Sequence, residues 1–190
     1  MDIVSTTEKQ KMHPHKFTLW VAIGSLIMMF AGLTSAFIVK SNQDKWIPVA
    51  LPMIFWISTG MILLSSLTMQ LSLRSFKDRE MSKYRFLIGV TVVLGAAFII
   101  CQWLGFQQLW EQKVTFKGSG GGQFLYVIFG LHALHVVGGL IVLLIMFIKG
   151  FLGKTKNYSS VPVEVAATYW HFVDALWIYL LVFFLVLGKN

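Results

Sequence analysis

Cysteine, acidic residues and charge of either sign are all scarce in this sequence. A single cysteine, Cys101, in 190 residues leaves no disulfide framework. Only 13% of residues are charged, against 56% hydrophobic, and mean hydropathy is +0.71. The charges are also bunched. Four stretches carry none at all: Phe17–Val39, Trp46–Leu73, Phe86–Trp110 and Gly118–Ile148. A fifth, Val165–Gly188, carries only Asp174. Each reaches the roughly 20 residues a helix needs to cross about 30 Å of hydrocarbon. A helix satisfies its own backbone hydrogen bonds, which lipid cannot do. The chain therefore reads as all-α: one integral membrane domain over residues 1–190, with helices near 17–39, 48–73, 84–110, 123–148 and 164–188. Little chain remains for a soluble domain. The polar N-terminus and the long first apolar run do not read as a cleavable signal peptide, so that run is expected to stay as a true span.

Basic residues outnumber acidic ones, 16 to 8, and their placement argues for membrane topology, not for nucleic acid. Alternate loops collect Lys9, Lys11, Lys16, Arg74, Lys77, Arg79, Lys83, Arg85, Lys149, Lys154 and Lys156 on one side. The other side holds Lys40, Lys45, Lys113, Lys117 and Lys189. By the positive-inside rule the N-terminus is cytoplasmic and the C-terminus external. Short connections predict that consecutive helices are antiparallel neighbours. Gly118, Gly120, Gly121 and Gly122 predict a flexible outer loop over 110–122. Ser159-Ser160-Val161-Pro162 reads as a helix start, with Glu164 favourably near the positive terminus. Gly24, Ala31, Gly32, Ser35 and Ala36, with Gly138 and Gly139, read as packing faces that permit close helix contact. Trp103, Trp110, Trp170 and Trp177 read as interfacial anchors and packing.

Ionisable groups inside the spans are the functional clues, because charge at mid-bilayer is costly. They are His132 and His135 on the fourth helix, and His171 and Asp174 on the fifth. Each pair is spaced i,i+3 and shares a face. At 1.5 Å per residue, His135 lies about 18 Å below one surface and His171 about 9 Å above the other, so the two are close in depth. The reading favoured is an interhelical hydrogen-bond cluster in which Asp174 orients His171 or pairs with a neighbouring subunit. A b-type haem held by two histidines and a His/Asp proton relay are the competing readings. A metal site is weaker, with no thiolate or further carboxylate in the cluster.

Two strings resemble a known family. The fifth helix, Glu164-Val-Ala-Ala-Thr-Tyr-Trp-His-Phe-Val-Asp-Ala-Leu-Trp177, looks like the signature helix of haem-copper oxidase subunit III. The fourth, Phe129-Gly-Leu-His-Ala-Leu-His-Val-Val-Gly138, resembles its paired-histidine motif. Phe30-Ala-Gly-Leu-Thr-Ser-Ala36, Ser65-Ser-Leu-Thr68 with Arg74, and Leu94-Gly-Ala-Ala-Phe98 with Gln102 are weaker echoes. The likeness covers roughly residues 13–188 and is to the five-helix bacterial form, which lacks the first two of seven helices. It implies an accessory, non-redox subunit of a proton-pumping terminal oxidase in the bacterial cell membrane, reducing oxygen with electrons from cytochrome c. Such a subunit supports assembly, binds phospholipid and sustains proton uptake. The resemblance implies no cofactor and no catalytic or metal site in this chain. Haem and copper would lie in partner subunits I and II, with a respiratory supercomplex as a further partner. His132, His135, Glu164, His171, Asp174 and Trp177 become structural, lipid or subunit-interface candidates. A quinol oxidase or nitric oxide reductase subunit is the close alternative, and a free-standing haem or proton-coupled protein the distant one. Two family carboxylates are missing. Leu26 stands at one position, and Gln102-Trp103-Leu104-Gly105-Phe106 replaces a Gln-x-x-Glu-Tyr ending.

Overall fold

The computed structural model describes residues 14–41, 53–111, 120–152 and 159–187. They form five helices: α1 (Pro14–Ser41), α2 (Ile54–Lys77), α3 (Met81–Glu111), α4 (Gly120–Leu152) and α5 (Val161–Leu187). There is no strand among the described residues. Even the shortest, α2 at 24 residues, is about 36 Å long at 1.5 Å per residue, enough to span the hydrocarbon. All five are long and apolar enough to cross a membrane. The predicted start of the second helix at 48–52 and the residue at 188 lie outside the described residues, as do 112–119 and 153–158.

The helix ends follow local chemistry. Pro14 opens α1, where a missing N–H goes unused. Val161 and Pro162 open α5, and the Glu164 N–H bonds back to the Ser160 carbonyl at 2.9 Å. At the end of α2 the Asp78 and Glu80 N–H groups reach back to the carbonyls of Arg74 and Ser75, both at 2.9 Å. Arg79 between them takes a left-handed φ of 60°, a role usually filled by glycine. This three-residue link folds α3 back along α2 as a hairpin. The predicted glycine loop is shorter than expected, since Gly120–Gly122 already belong to α4. Each residue added to a formed helix gains a backbone bond, so the apolar span carries the helix into the glycines.

Packing departs from chain order. The close helix pairs are α2–α3, α3–α4, α4–α5, α2–α5, α1–α4 and α1–α5. Thus α2, α3, α4 and α5 form a ring, and α1 lies along the α4–α5 seam without approaching α2. The expectation that consecutive helices are neighbours holds for three of the four connections and fails for the first. Twelve residues, 42 to 53, separate those two helices, long enough to release them from each other.

A seven-residue repeat explains how the ring closes. In α2 the fully buried positions are Phe55, Ser58, Ile62, Ser65, Met69 and Ser72, alternating large and small. In α3 the buried side chains Tyr84, Ile88, Thr91, Phe98, Gln102 and Leu109 share the alternating three- and four-residue step, with Gly95 and Gly105 in register. Steps of 3.5 residues keep one seam facing a partner helix. Small residues then let helices approach where lipid supplies no hydrophobic drive.

Candidate functional site

Trp170 and Trp177 of α5 are each 1% exposed and are the aromatic centre of the bundle. The Trp170 indole lies between two glycines: a Cβ on Gly95 would fall 3.0 Å from it, and one on Gly139 would fall 3.1 Å from it. Its Nε1 donates to Ser65 Oγ of α2 at 3.1 Å. Trp177 Nε1 donates to Thr59 Oγ1, also of α2, at 3.0 Å. Trp103 and Trp110, by contrast, face outward at 67% and 57% exposed. The four tryptophans therefore divide into two core hydrogen-bond donors and two surface groups.

At one end of the bundle Glu164 binds Lys16 of α1 at 2.6 Å and Lys77 of α2 at 3.0 Å. One carboxylate thus links α1 and α2, whose backbones make no close approach. Further in, His171 Nδ1 meets Ser66 Oγ at 2.6 Å and Nε2 meets Gln70 Oε1 at 3.2 Å. The Gln70 oxygen accepts, so the proton sits on Nε2 and Nδ1 accepts from the serine. Asp174 is buried at 3% exposure. Ser66 is its polar neighbour, but that hydroxyl is directed to His171. Neither carboxylate oxygen receives a well-formed hydrogen bond from a described residue. Asp174 therefore does not orient His171; two α2 side chains do.

The fourth-helix histidines are placed differently from each other. His135 Nδ1 donates to the Leu131 carbonyl of its own helix at 2.7 Å, and its backbone carbonyl accepts from Tyr169 Oη at 3.2 Å. His132 is 2% exposed, stacked on Trp177 with ring centroids 5.5 Å apart. Phe30 approaches it edge-on at 6.4 Å. Neither ring nitrogen of His132 bonds a described residue. His171 thus turns to α2, while His132 and His135 turn to the aromatic core and to α1. Equal depth does not bring His135 and His171 into a bonded pair. No group of three or more His, Cys, Asp or Glu residues suited to a metal occurs among the described residues.

Sequence reasoning missed the hydroxyl network of α2. Gln102 Nε2 donates to Ser58 Oγ at 3.0 Å, and Thr68 pairs with Thr91 at 2.9 Å. Thr34 of α1 meets Tyr179 of α5 at 3.1 Å. The available signal was the spacing of Ser58, Ser65 and Ser72, seven residues apart. The small residues of α1 also differ from expectation. Ala31, Gly32, Ser35 and Ala36 point off the bundle, and a Cβ on Gly24, Gly32 or Gly138 would meet nothing within 4 Å. Gly139 does pack, against Tyr169 and Trp170. At the missing-carboxylate position, a Cβ on Gly105 would fall 2.9 Å from the Phe55 ring. That aromatic ring occupies the space an acidic side chain would need.

Comparison with known proteins matches residues 8–189 to the family model for cytochrome c oxidase subunit III. The chain belongs to that family. Cytochrome c oxidase subunit 3 of Bacillus sp. (strain PS3) is 26% identical over 174 residues, covering 89% of this chain and 84% of that one. The Bacillus subtilis (strain 168) protein of the same description is 26% identical over 197 residues, covering 96% and 95%. A probable cytochrome c oxidase subunit 3 of Nocardia farcinica is 28% identical over 185 residues, covering 89% of each. Family membership and five membrane-spanning helices together make the chain an accessory subunit III of a haem-copper oxidase, multi-pass in the bacterial cell membrane.

Proposed function

We propose that the chain carries no redox centre and acts by packing against the haem- and copper-bearing subunits I and II of a cytochrome c oxidase. There it stabilises the complex, holds phospholipid and sustains proton uptake. The observation that carries this reading is the use made of the motif residues: His171 is engaged by Ser66 and Gln70, and Glu164 by Lys16 and Lys77. Both are committed to interhelical contacts. A ligand role would need free, convergent donors. Cytochrome c as electron donor accords with the relatives, each described as a cytochrome c oxidase subunit 3.

Phospholipid has a place to bind. A cavity of about 620 Å³ opens between α1, α4 and α5, with an apolar wall including Leu19, Val142, Met146 and Val165 and polar groups at His15, Thr18 and Tyr169. Its chemistry suits an acyl chain beneath a polar headgroup.

The experiment is substitution at His171 and Asp174 in the assembled oxidase. His171→Ala is expected to lower the amount of subunit retained after harsh detergent, since it leaves Ser66 and Gln70 without their partner. Complexes that keep the subunit should show near-normal initial oxygen consumption and faster loss of activity during turnover. A fully assembled Asp174→Asn complex whose initial turnover collapses would overturn the reading in favour of a proton relay.

A further inference from the structure

We propose that the gap between α1 and α2, at the end of the bundle where Glu164 bridges them, is a second lipid site and is selective for an anionic phospholipid. Both helices pack on α5 and make no close approach to each other. Between them lies a cavity of about 280 Å³ whose wall includes Lys16, Leu19 and Trp20 of α1, Leu73 of α2, and Glu164 and Thr168 of α5. It is distinct from the cavity between α1, α4 and α5. Leu19 and Val165 line both, but His15, Thr18 and Ala22 face only that one, and Lys16 and Trp20 only this one. The two cavities therefore flank the base of α1.

Charge selects the headgroup. Lys16 and Lys77 both bind Glu164, so two ammonium groups against one carboxylate leave a net charge of +1. Each ammonium has three N–H donors and spends one on Glu164. Both side chains are substantially exposed, which leaves the other donors open at the surface. Arg74 is exposed one turn before Lys77 and adds to the same rim. Phosphate oxygens accept hydrogen bonds, which is what this rim lacks. A zwitterionic headgroup would bring a further cation to a rim that is already positive.

The rest of the gap suits an acyl chain. Thr168 spends its hydroxyl proton on the Glu164 carbonyl of its own helix at 2.9 Å, so Leu19, Leu73 and Val165 set the character of the wall. Further along α5, Ala175, Tyr179 and Val182 are exposed. Trp20 stands one turn inside Lys16 and is 60% exposed. Tryptophan at this level is the pattern of a side chain meeting the membrane interface. A bound lipid would complete the contact between α1 and α2 that the helices themselves do not make.

Native mass spectrometry of the full-length chain, released from micelles holding equal phosphatidylglycerol and phosphatidylcholine, tests this. The unaltered chain should retain phosphatidylglycerol in preference. Lys77→Gln should lower that preference about fivefold, the effect of one lysine beside an anionic surface. Glu164→Gln leaves both lysines uncompensated and should raise it by a similar factor. Equal loss in these two variants would overturn the proposal, because a purely structural ion pair is broken by either. Lys149→Gln makes the same charge change on α4, outside the gap, and should have no effect. Thr168→Phe fills the gap without altering charge and should abolish the preference. Gly138→Leu fills the other cavity and should preserve it. The reverse outcome for these two would place the anionic lipid between α1, α4 and α5, overturning the second site and leaving the proposed function intact. Displacement of the lipid by an equal concentration of inorganic phosphate, or a partner subunit's helix seated in the gap in a density map of the whole oxidase, would also contradict it.

Discussion

Gly138 and Gly139 are chain neighbours with opposite surroundings, and substituting alanine at each separates packing from helix propensity. Both variants gain up to about 1 kcal/mol, because glycine is a poor helix former. At Gly138 nothing lies within 4 Å of the new methyl group, so only that gain remains. At Gly139 the methyl falls 3.1 Å from two Trp170 atoms and 3.1 Å from Tyr169, closer than the usual 3.5–4.0 Å between carbons. Trp170 has little room to retreat. Its indole already rests on Gly95 of α3, and its Nε1 is tethered to Ser65. Overpacking of this kind costs about 1–3 kcal/mol. Because the propensity gain is common to both, the difference between the variants isolates the overlap, also about 1–3 kcal/mol. Reversible unfolding of the full-length chain in mixed micelles, followed by circular dichroism, measures it. Variants of equal stability, or Gly138→Ala as the weaker of the two, would refute the placement of Trp170.

Glu164→Gln should loosen the α1–α2–α5 junction by only about 1 kcal/mol or less, because Lys16 and Lys77 are 42% and 51% exposed and solvent screens both pairs. Raising salt should weaken subunit retention in the native complex and leave the variant nearly insensitive, as comparison of detergent-extracted complexes in low and high salt will report. The eleven-to-five division of Lys and Arg predicts a cytoplasmic N-terminus and an external C-terminus. A reporter fused at Asn190 should be active only outside the cytoplasm, and activity confined to the cytoplasm would reverse the topology.

The spans were legible because hydrocarbon imposes length and charge limits on a single segment, and five segments met them without reference to one another. The neighbours of each helix were not, because they depend on which face turns where. Trp103 and Trp170 illustrate this. Both lie within apolar spans, yet one faces outward and the other fills the gap between Gly95 and Gly139. Depth arithmetic placed His135 and His171 at similar levels, and helix rotation then sent His171 to Ser66 and Gln70. The small residues of α1 were read as packing faces; within this chain the residues α1 buries are Ile23, Phe30, Thr34 and Phe37. The α2–α3 seam was present in the sequence as Phe55, Ser58, Ile62, Ser65, Met69 and Ser72. It went unread because serine in a span draws less notice than histidine or aspartate. Glu164 was placed correctly near a helix start, while its two lysine partners required the tertiary fold.

We infer that this chain is a redox-free structural partner of a haem-copper oxidase. Purification through an affinity tag on the chain, first in mild and then in harsh detergent, tests it most directly. In mild detergent, haem absorbance and oxygen consumption should elute with the chain in fixed proportion. After harsh detergent strips the chain away, the haem bands should remain wholly with the other subunits and the isolated chain should show no Soret band. A stoichiometric Soret band on the stripped chain, or elution without haem in mild detergent, would contradict the account.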